Sequence, residues 1–152
     1  MISINNNSNS NLNLKKGMKI SILGAGKSGI HAAELSKMID AEVLISDIDI
    51  KKSDIKVNDA IIETGRHSNR ILESDLIIKS PGIPNDIDIL VSAEKEKIPI
   101  ISEIEFAGFF TSSPIIAVTG SNGKSTTVEL LHSIFLSAGY HSLLGGNIGT
   151  TF

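Results

Sequence analysis

Residues 18–47 constrain the fold more tightly than any other part of the chain. Met18-Lys19-Ile20-Ser21-Ile22-Leu23 is short, apolar and rich in β-branched residues, as suits a buried parallel strand. Gly24-Ala25-Gly26-Lys27-Ser28-Gly29 follows at once and forms a full G-x-G-x-x-G. A helical stretch at residues 30–38 comes next. A second strand, Glu42-Val43-Leu44-Ile45-Ser46, then ends in Asp47, 18 residues beyond Gly29. Strand, glycines, helix, strand and terminal acid make up the dinucleotide-fold fingerprint. Its physics is a diphosphate held at a helix N-terminus, where unpaired N–H groups and the helix dipole favour an anion. The pattern does not say which nucleotide carries that diphosphate. Lys27 reads equally as a phosphate neighbour or a solvated lysine, and Asp47 as a nucleoside contact or a strand-end turn residue.

A second glycine loop lies at Thr119-Gly120-Ser121-Asn122-Gly123-Lys124-Ser125-Thr126. Before it stands Pro114-Ile115-Ile116-Ala117-Val118, another buried-strand pattern. After it, Val128, Leu130, Leu131, Ile134 and Phe135 recur at helical spacing. Strand, glycine turn and helix in this order suit a nucleoside triphosphate. Gly120 and Gly123 let the backbone approach phosphate oxygens, Lys124 can reach the β- and γ-phosphates, and the Ser125 hydroxyl can ligate Mg²⁺. The general Walker spacing would need Gly at 118, where this chain has Val118; here the spacing is the shorter G-x-x-G-K-S.

Composition excludes several classes. There are no cysteines, so disulfides and cysteine zinc sites are ruled out. A formal net charge of −3 gives no footprint for nucleic acid. No apolar run approaches the ~18 residues of a membrane span, so no membrane insertion is expected, and a cytoplasmic, monomeric protein is the default. Residues 1–17 are rich in Asn and Ser and are expected to be a disordered tail, even upstream read-through.

Between the two loops the chain alternates. Strands are expected at residues 60–63, 75–79 and 99–101. Helices fit residues 68–72, capped by Ser68, then 86–95 and 103–110. Thr64-Gly65-Arg66-His67 reads as a turn, and Thr111-Ser112-Ser113-Pro114 as a linker. His67, His132 and His141 are scattered and read as surface or packed histidines, and no metal-spaced cluster is visible. The expected class is α/β: a Rossmann-like parallel sheet at residues 18–110, followed at 111–152 by the truncated start of a P-loop ATPase domain. Residues 111–152 offer one strand, one helix and a partial second strand, too little to bury a core alone.

With these motifs in place, the chain resembles the Mur ligases, which build the peptide of bacterial peptidoglycan. The resemblance is carried by Thr119–Thr126 and the N-terminal G-x-G-x-x-G domain, with the Ser80-Pro81-Gly82 turn and Gly145-Gly146-Asn147-Ile148-Gly149. It implies ATP and Mg²⁺ as cofactors, with UDP-N-acetylmuramoyl-L-alanine and D-glutamate as substrates joined through an acyl phosphate. It implies that Gly26, Lys27, Ser28, Ser80, Pro81, Gly82 and Asp47 bind the UDP end, and that Asn147 contacts the UDP-sugar. Gly120, Ser121, Asn122, Gly123, Lys124, Ser125 and Thr126 would hold ATP, with Lys124 and Ser125 catalytic and Ser125 on the metal. A basic residue that often follows the acid in that family is replaced here by Ile48 and Asp49. Most of the catalytic apparatus would lie beyond Phe152, so the chain is expected to be an inactive fragment. An NAD(P)-binding module and a nucleotide-binding regulatory protein are the alternatives.

Overall fold

The computed structural model describes residues 2–5, 12–52 and 54–146. In chain order the elements are β1 (Ile2–Asn5), β2 (Lys19–Leu23), α1 (Lys27–Ser36), β3 (Glu42–Asp47), β4 (Ala60–Thr64) and β5 (Leu76–Lys79). They continue with α2 (Asp88–Lys95), β6 (Ile100–Ser102), α3 (Glu103–Gly108), β7 (Ile115–Val118) and α4 (Lys124–Ser137). Short 3₁₀ turns at Lys37–Ile39, Ile50–Lys52 and Asn69–Glu73 punctuate them. The chain divides into two compact units: Ser10–Phe110, and Met1–Asn9 with Thr111–Phe152.

Ser10–Phe110 holds a five-stranded sheet in the order β4-β3-β2-β5-β6, every neighbouring pair parallel. Strand alternation explains why the sheet is covered twice. Ile20, Ile22, Val43, Ile45, Leu76 and Ile78 point to one face and pack with Ala32 and Ala33 of α1 and Phe106 of α3. Leu23, Leu44 and Ile77 point to the other and pack with Ile71 and with Ile89, Leu90 and Ala93 of α2. Each fully buried Ile or Leu contributes about 1.5–3 kcal/mol by leaving water. The strand order reverses between β2 and β5, the point at which open α/β sheets form a crevice beyond their strand C-termini. In open α/β sheets that switch point is where ligands sit.

The other unit is small. β7 and α4 flank the second glycine loop as expected, and β1 pairs antiparallel with β7, Ile2 opposite Val118. This strand differs from the expectation of a tail without structure. The open edge of β7 leaves backbone N–H and C=O groups unpaired, and β1 satisfies one row of them. Leu12 and Leu14 also lie outside that expectation, since both pack against the α/β core. The expected partial strand after α4 is reduced, among the described residues, to a single bridge at Gly145. Asn147 lies outside the described residues.

Candidate functional site: a nucleotide crevice and a phosphate loop

The crevice is built from two turns that interlock. Gly24 leaves β2 with φ +105°, and a Cβ there would meet Ser80 Oγ at 2.5 Å. Its N–H donates to the Ser46 carbonyl at 2.8 Å. Gly26 caps α1, accepts from Ile30 N–H at 3.0 Å, and faces open space where a Cβ would stand. Gly29 has the tightest requirement, because its Cβ would lie 2.0 Å from the Gly24 carbonyl oxygen. Lys27 and Ser28, in the first turn of α1, are exposed beside the loop. The Ser80 N–H donates to Leu23 O at 3.0 Å, and Ile83 N–H closes the turn on Ser80 O at 3.1 Å. Pro81 and Gly82 are exposed. Gly26, Lys27 and Ser28 thus lie on one turn and Ser80, Pro81 and Gly82 on the other, and the two turns meet where Gly24 approaches Ser80.

Asp47 ends β3 in the same place, and its carboxylate braces the loop. Oδ2 accepts from Ala25 N–H at 2.7 Å, and Oδ1 accepts from Asp49 N–H at 2.8 Å. Both bonds are structural: they tie the glycine loop and the turn after β3 to this carboxylate.

Sequence reasoning missed two further groups. Glu103 is buried at the start of α3, where its Oε1 accepts a hydrogen bond from Ser80 Oγ. Beside Asp47, Ser46 is fully buried, with its Oγ 2.9 Å from Glu63 Oε1 and 2.8 Å from His67 Nδ1. Burial pushes the Glu63 carboxyl up, but hydrogen bonds from Ser68 and Ser46 and the nearby Arg66 charge outweigh it and hold it below the usual range. Burial pushes the His67 imidazole below its ordinary value, against the pull of Asp47 and Glu63. The signal that could have found this group is position: residues 64–67 follow a strand at its C-terminal end, where the fold places ligands. Ser68, expected to cap the next turn, makes no side-chain cap bond.

In the other unit, residues 119–126 are exposed throughout. Gly123 adopts φ +75° at the N-cap of α4, a conformation that suits glycine. Lys124 Nζ curls over the loop, donating to the carbonyls of Gly120 and Ser121. Thr127 N–H and Oγ1 both donate to the Gly123 carbonyl, at 3.0 and 2.9 Å. The remaining N-terminal N–H groups of α4 thus face the loop together with one ammonium. Among the described residues no cluster of three metal-ligating side chains occurs, and no helix is long and apolar enough to cross a membrane.

The fold defines a Rossmann-like α/β unit whose glycine loop sits at the switch point. No family model matches the chain. Curated proteins do. It is 45% identical over 136 residues, 86% of the chain, to a UDP-N-acetylmuramoylalanine–D-glutamate ligase of Bacteroides fragilis. It is 41% identical over 145 residues, 89% of the chain, to the protein of that name in Koribacter versatilis. Over these residues the chain is a homologue of the Mur ligases, and it spans 31% of the length of each of those relatives. A crystal structure of the UDP-N-acetylmuramate–alanine ligase of Thermotoga maritima aligns with 80% of the chain and 30% of its own, at 25% identity and a TM-score of 0.46.

Proposed function

We propose that the chain supplies the UDP-substrate crevice and the ATP loop of a ligase that adds D-glutamate to UDP-N-acetylmuramoyl-L-alanine. The observation that carries this reading is the 45% identity, over 86% of the chain, to a ligase bearing that name. The crevice supports it. The N-terminus of α1 and the open backbone at Gly26 suit a diphosphate, with Lys27 and Ser28 beside it and Ser80, Pro81 and Gly82 across from it. Asn147 is assigned to the sugar end of the same substrate.

The second loop fits ATP and Mg²⁺. Gly120, Ser121, Asn122, Gly123 and Thr126 offer exposed backbone and short polar side chains to phosphates. Lys124 would leave its two carbonyl partners for the γ-phosphate, and Ser125 would ligate the metal. ATP would supply a phosphoryl group to the alanine carboxylate, releasing ADP, so that the D-glutamate amine could attack the acyl carbon with inorganic phosphate as leaving group. The chain's own part is charge neutralisation and alignment, and Lys124 provides both.

Residues 111–152 contain one acid, Glu129, so Mg²⁺ would find little carboxylate there. The 152-residue chain alone is accordingly inactive in this reading. Phosphate release from it that depends on both UDP-N-acetylmuramoyl-L-alanine and D-glutamate would show otherwise. Calorimetric titration with UDP and NAD⁺ tests the crevice: UDP is expected to bind, and tighter binding of NAD⁺ would overturn the reading.

A further inference from the structure

The turn after β4 lies at the C-terminal edge of the sheet, next to the end of β3. β3 and β4 pair in the register Ser46↔Glu63 and Asp47↔Thr64, and Gly65 N–H donates to the Asp47 carbonyl at 2.9 Å. Residues 65–68 therefore stand beside the acid that ends β3.

The hydrogen bonds in this turn fix a tautomer. Ser46 Oγ lies 2.9 Å from Glu63 Oε1, 3.2 Å from the Arg66 carbonyl oxygen and 2.8 Å from His67 Nδ1. A hydroxyl has one proton, and a carboxylate and a carbonyl can only accept. The carboxylate is charged and nearer, so Ser46 donates to Glu63. The Ser46 oxygen then accepts from His67, whose Nδ1 must carry a hydrogen. Burial keeps the ring neutral at pH 7. A neutral imidazole with hydrogen on Nδ1 presents a lone pair at Nε2. Among the described residues no hydrogen bond reaches that Nε2, and the ring is half-buried.

We propose that His67 is a specificity-determining residue of the crevice, its Nε2 lone pair accepting a hydrogen bond from the nucleoside of a bound uridine diphosphate. The inference rests on the reading of the crevice as a UDP site. Uridine offers two kinds of donor, the ribose hydroxyls and the uracil N3–H. An acceptor facing N3 also discriminates, because the N3 of cytosine carries no hydrogen and would leave both lone pairs unmatched.

The test uses the 152-residue chain and its His67→Phe and His67→Gln variants. Calorimetry follows UDP, 3-methyl-UDP, 2′-deoxy-UDP, 3′-deoxy-UDP and inorganic pyrophosphate, and ¹⁵N NMR follows the His67 ring nitrogens. UDP is expected to bind His67→Phe about 3- to 10-fold more weakly than the unsubstituted chain, while pyrophosphate binds both equally. The Nε2 resonance should move with UDP and stay still with pyrophosphate, a response that a purely structural histidine lacks. Loss of the His67 effect with 3-methyl-UDP assigns the contact to the base; loss with a deoxy analogue assigns it to the ribose. If UDP binds all three proteins alike and Nε2 does not move, His67 plays no such part although the UDP site stands. If pyrophosphate binds but UDP gains nothing over it, the UDP reading fails and this inference with it. Should His67→Phe fail to fold by circular dichroism, the Gln variant and the ring nitrogens decide.

Discussion

At Gly29 even one added carbon has nowhere to go. Its Cβ would stand 2.0 Å from the Gly24 carbonyl oxygen, a backbone atom that cannot rotate away. Gly29→Ala should therefore push α1 off the loop. We expect a loss of about 1–3 kcal/mol in urea denaturation and a parallel loss of UDP affinity in calorimetry. Asp47 is a second such residue. Asp47→Ala strands the N–H of Ala25, which is 1% exposed, so it should cost about 1–3 kcal/mol even without ligand; equal denaturation midpoints would count against the bracing role. The Ser46 group also sets a pH dependence. Both Glu63 and His67 have folded-state values below their ordinary ones. Each then contributes stability that is complete above its unfolded value, near pH 6.5 for histidine and about 4.3 for glutamate. That stability is lost as the pH falls through the folded value, because the unfolded chain takes the proton first. Denaturation of the unsubstituted chain between pH 7 and 5 should show a steeper decline than that of His67→Gln; parallel curves would remove His67 from the account.

Among the elements, α3 owes its start to a reciprocal cap. Ser102 Oγ accepts from Glu105 N–H at 3.2 Å, and Glu105 Oε2 accepts from Ser102 N–H at 2.8 Å. Ser102→Ala should cost about 1 kcal/mol, measured as a shifted urea midpoint with unchanged slope. Glu103, the next residue, holds Ser80 from this helix, so the same change should also loosen the Ser80 turn. The pair fits the Ser-x-x-Glu pattern before a helix, which went unread, whereas the elements themselves were legible. Runs such as Leu76-Ile77-Ile78 are apolar on both faces, and that alone marks strands buried between two helical layers. The glycine loops were legible because backbone geometry restricts their residue types. The Ser46–Glu63–His67 group was not, because it joins residues about twenty apart that meet only once β3 and β4 are in register. The strand at Ile2–Asn5 was hidden for a related reason: its partner lies at the other end of the chain and its neighbours read as a polar tail.

For the molecule as a whole, burial is unevenly shared. Every buried residue among those described falls in residues 20–108, and none in residues 111–146. Leu130, Ile134 and Leu143 of the second unit are 60%, 54% and 90% exposed. Amide hydrogen exchange should therefore be slowest in β2, β3 and β5 and much faster in α4, since helical bonds without packed apolar cover open locally. Protection in α4 equal to that in β2 would contradict this. The pairing of β1 with β7 adds a matter of timing. Ile2 leaves the ribosome well ahead of its partner Val118, which follows only after more than a hundred further residues. At ~5–20 residues per second the first strand waits on the order of ten seconds for its ladder. Meanwhile the parallel sheet, whose strands end at Ser102, can close behind it. The strand of this pair that is made first thus finds its place only after the sheet it precedes.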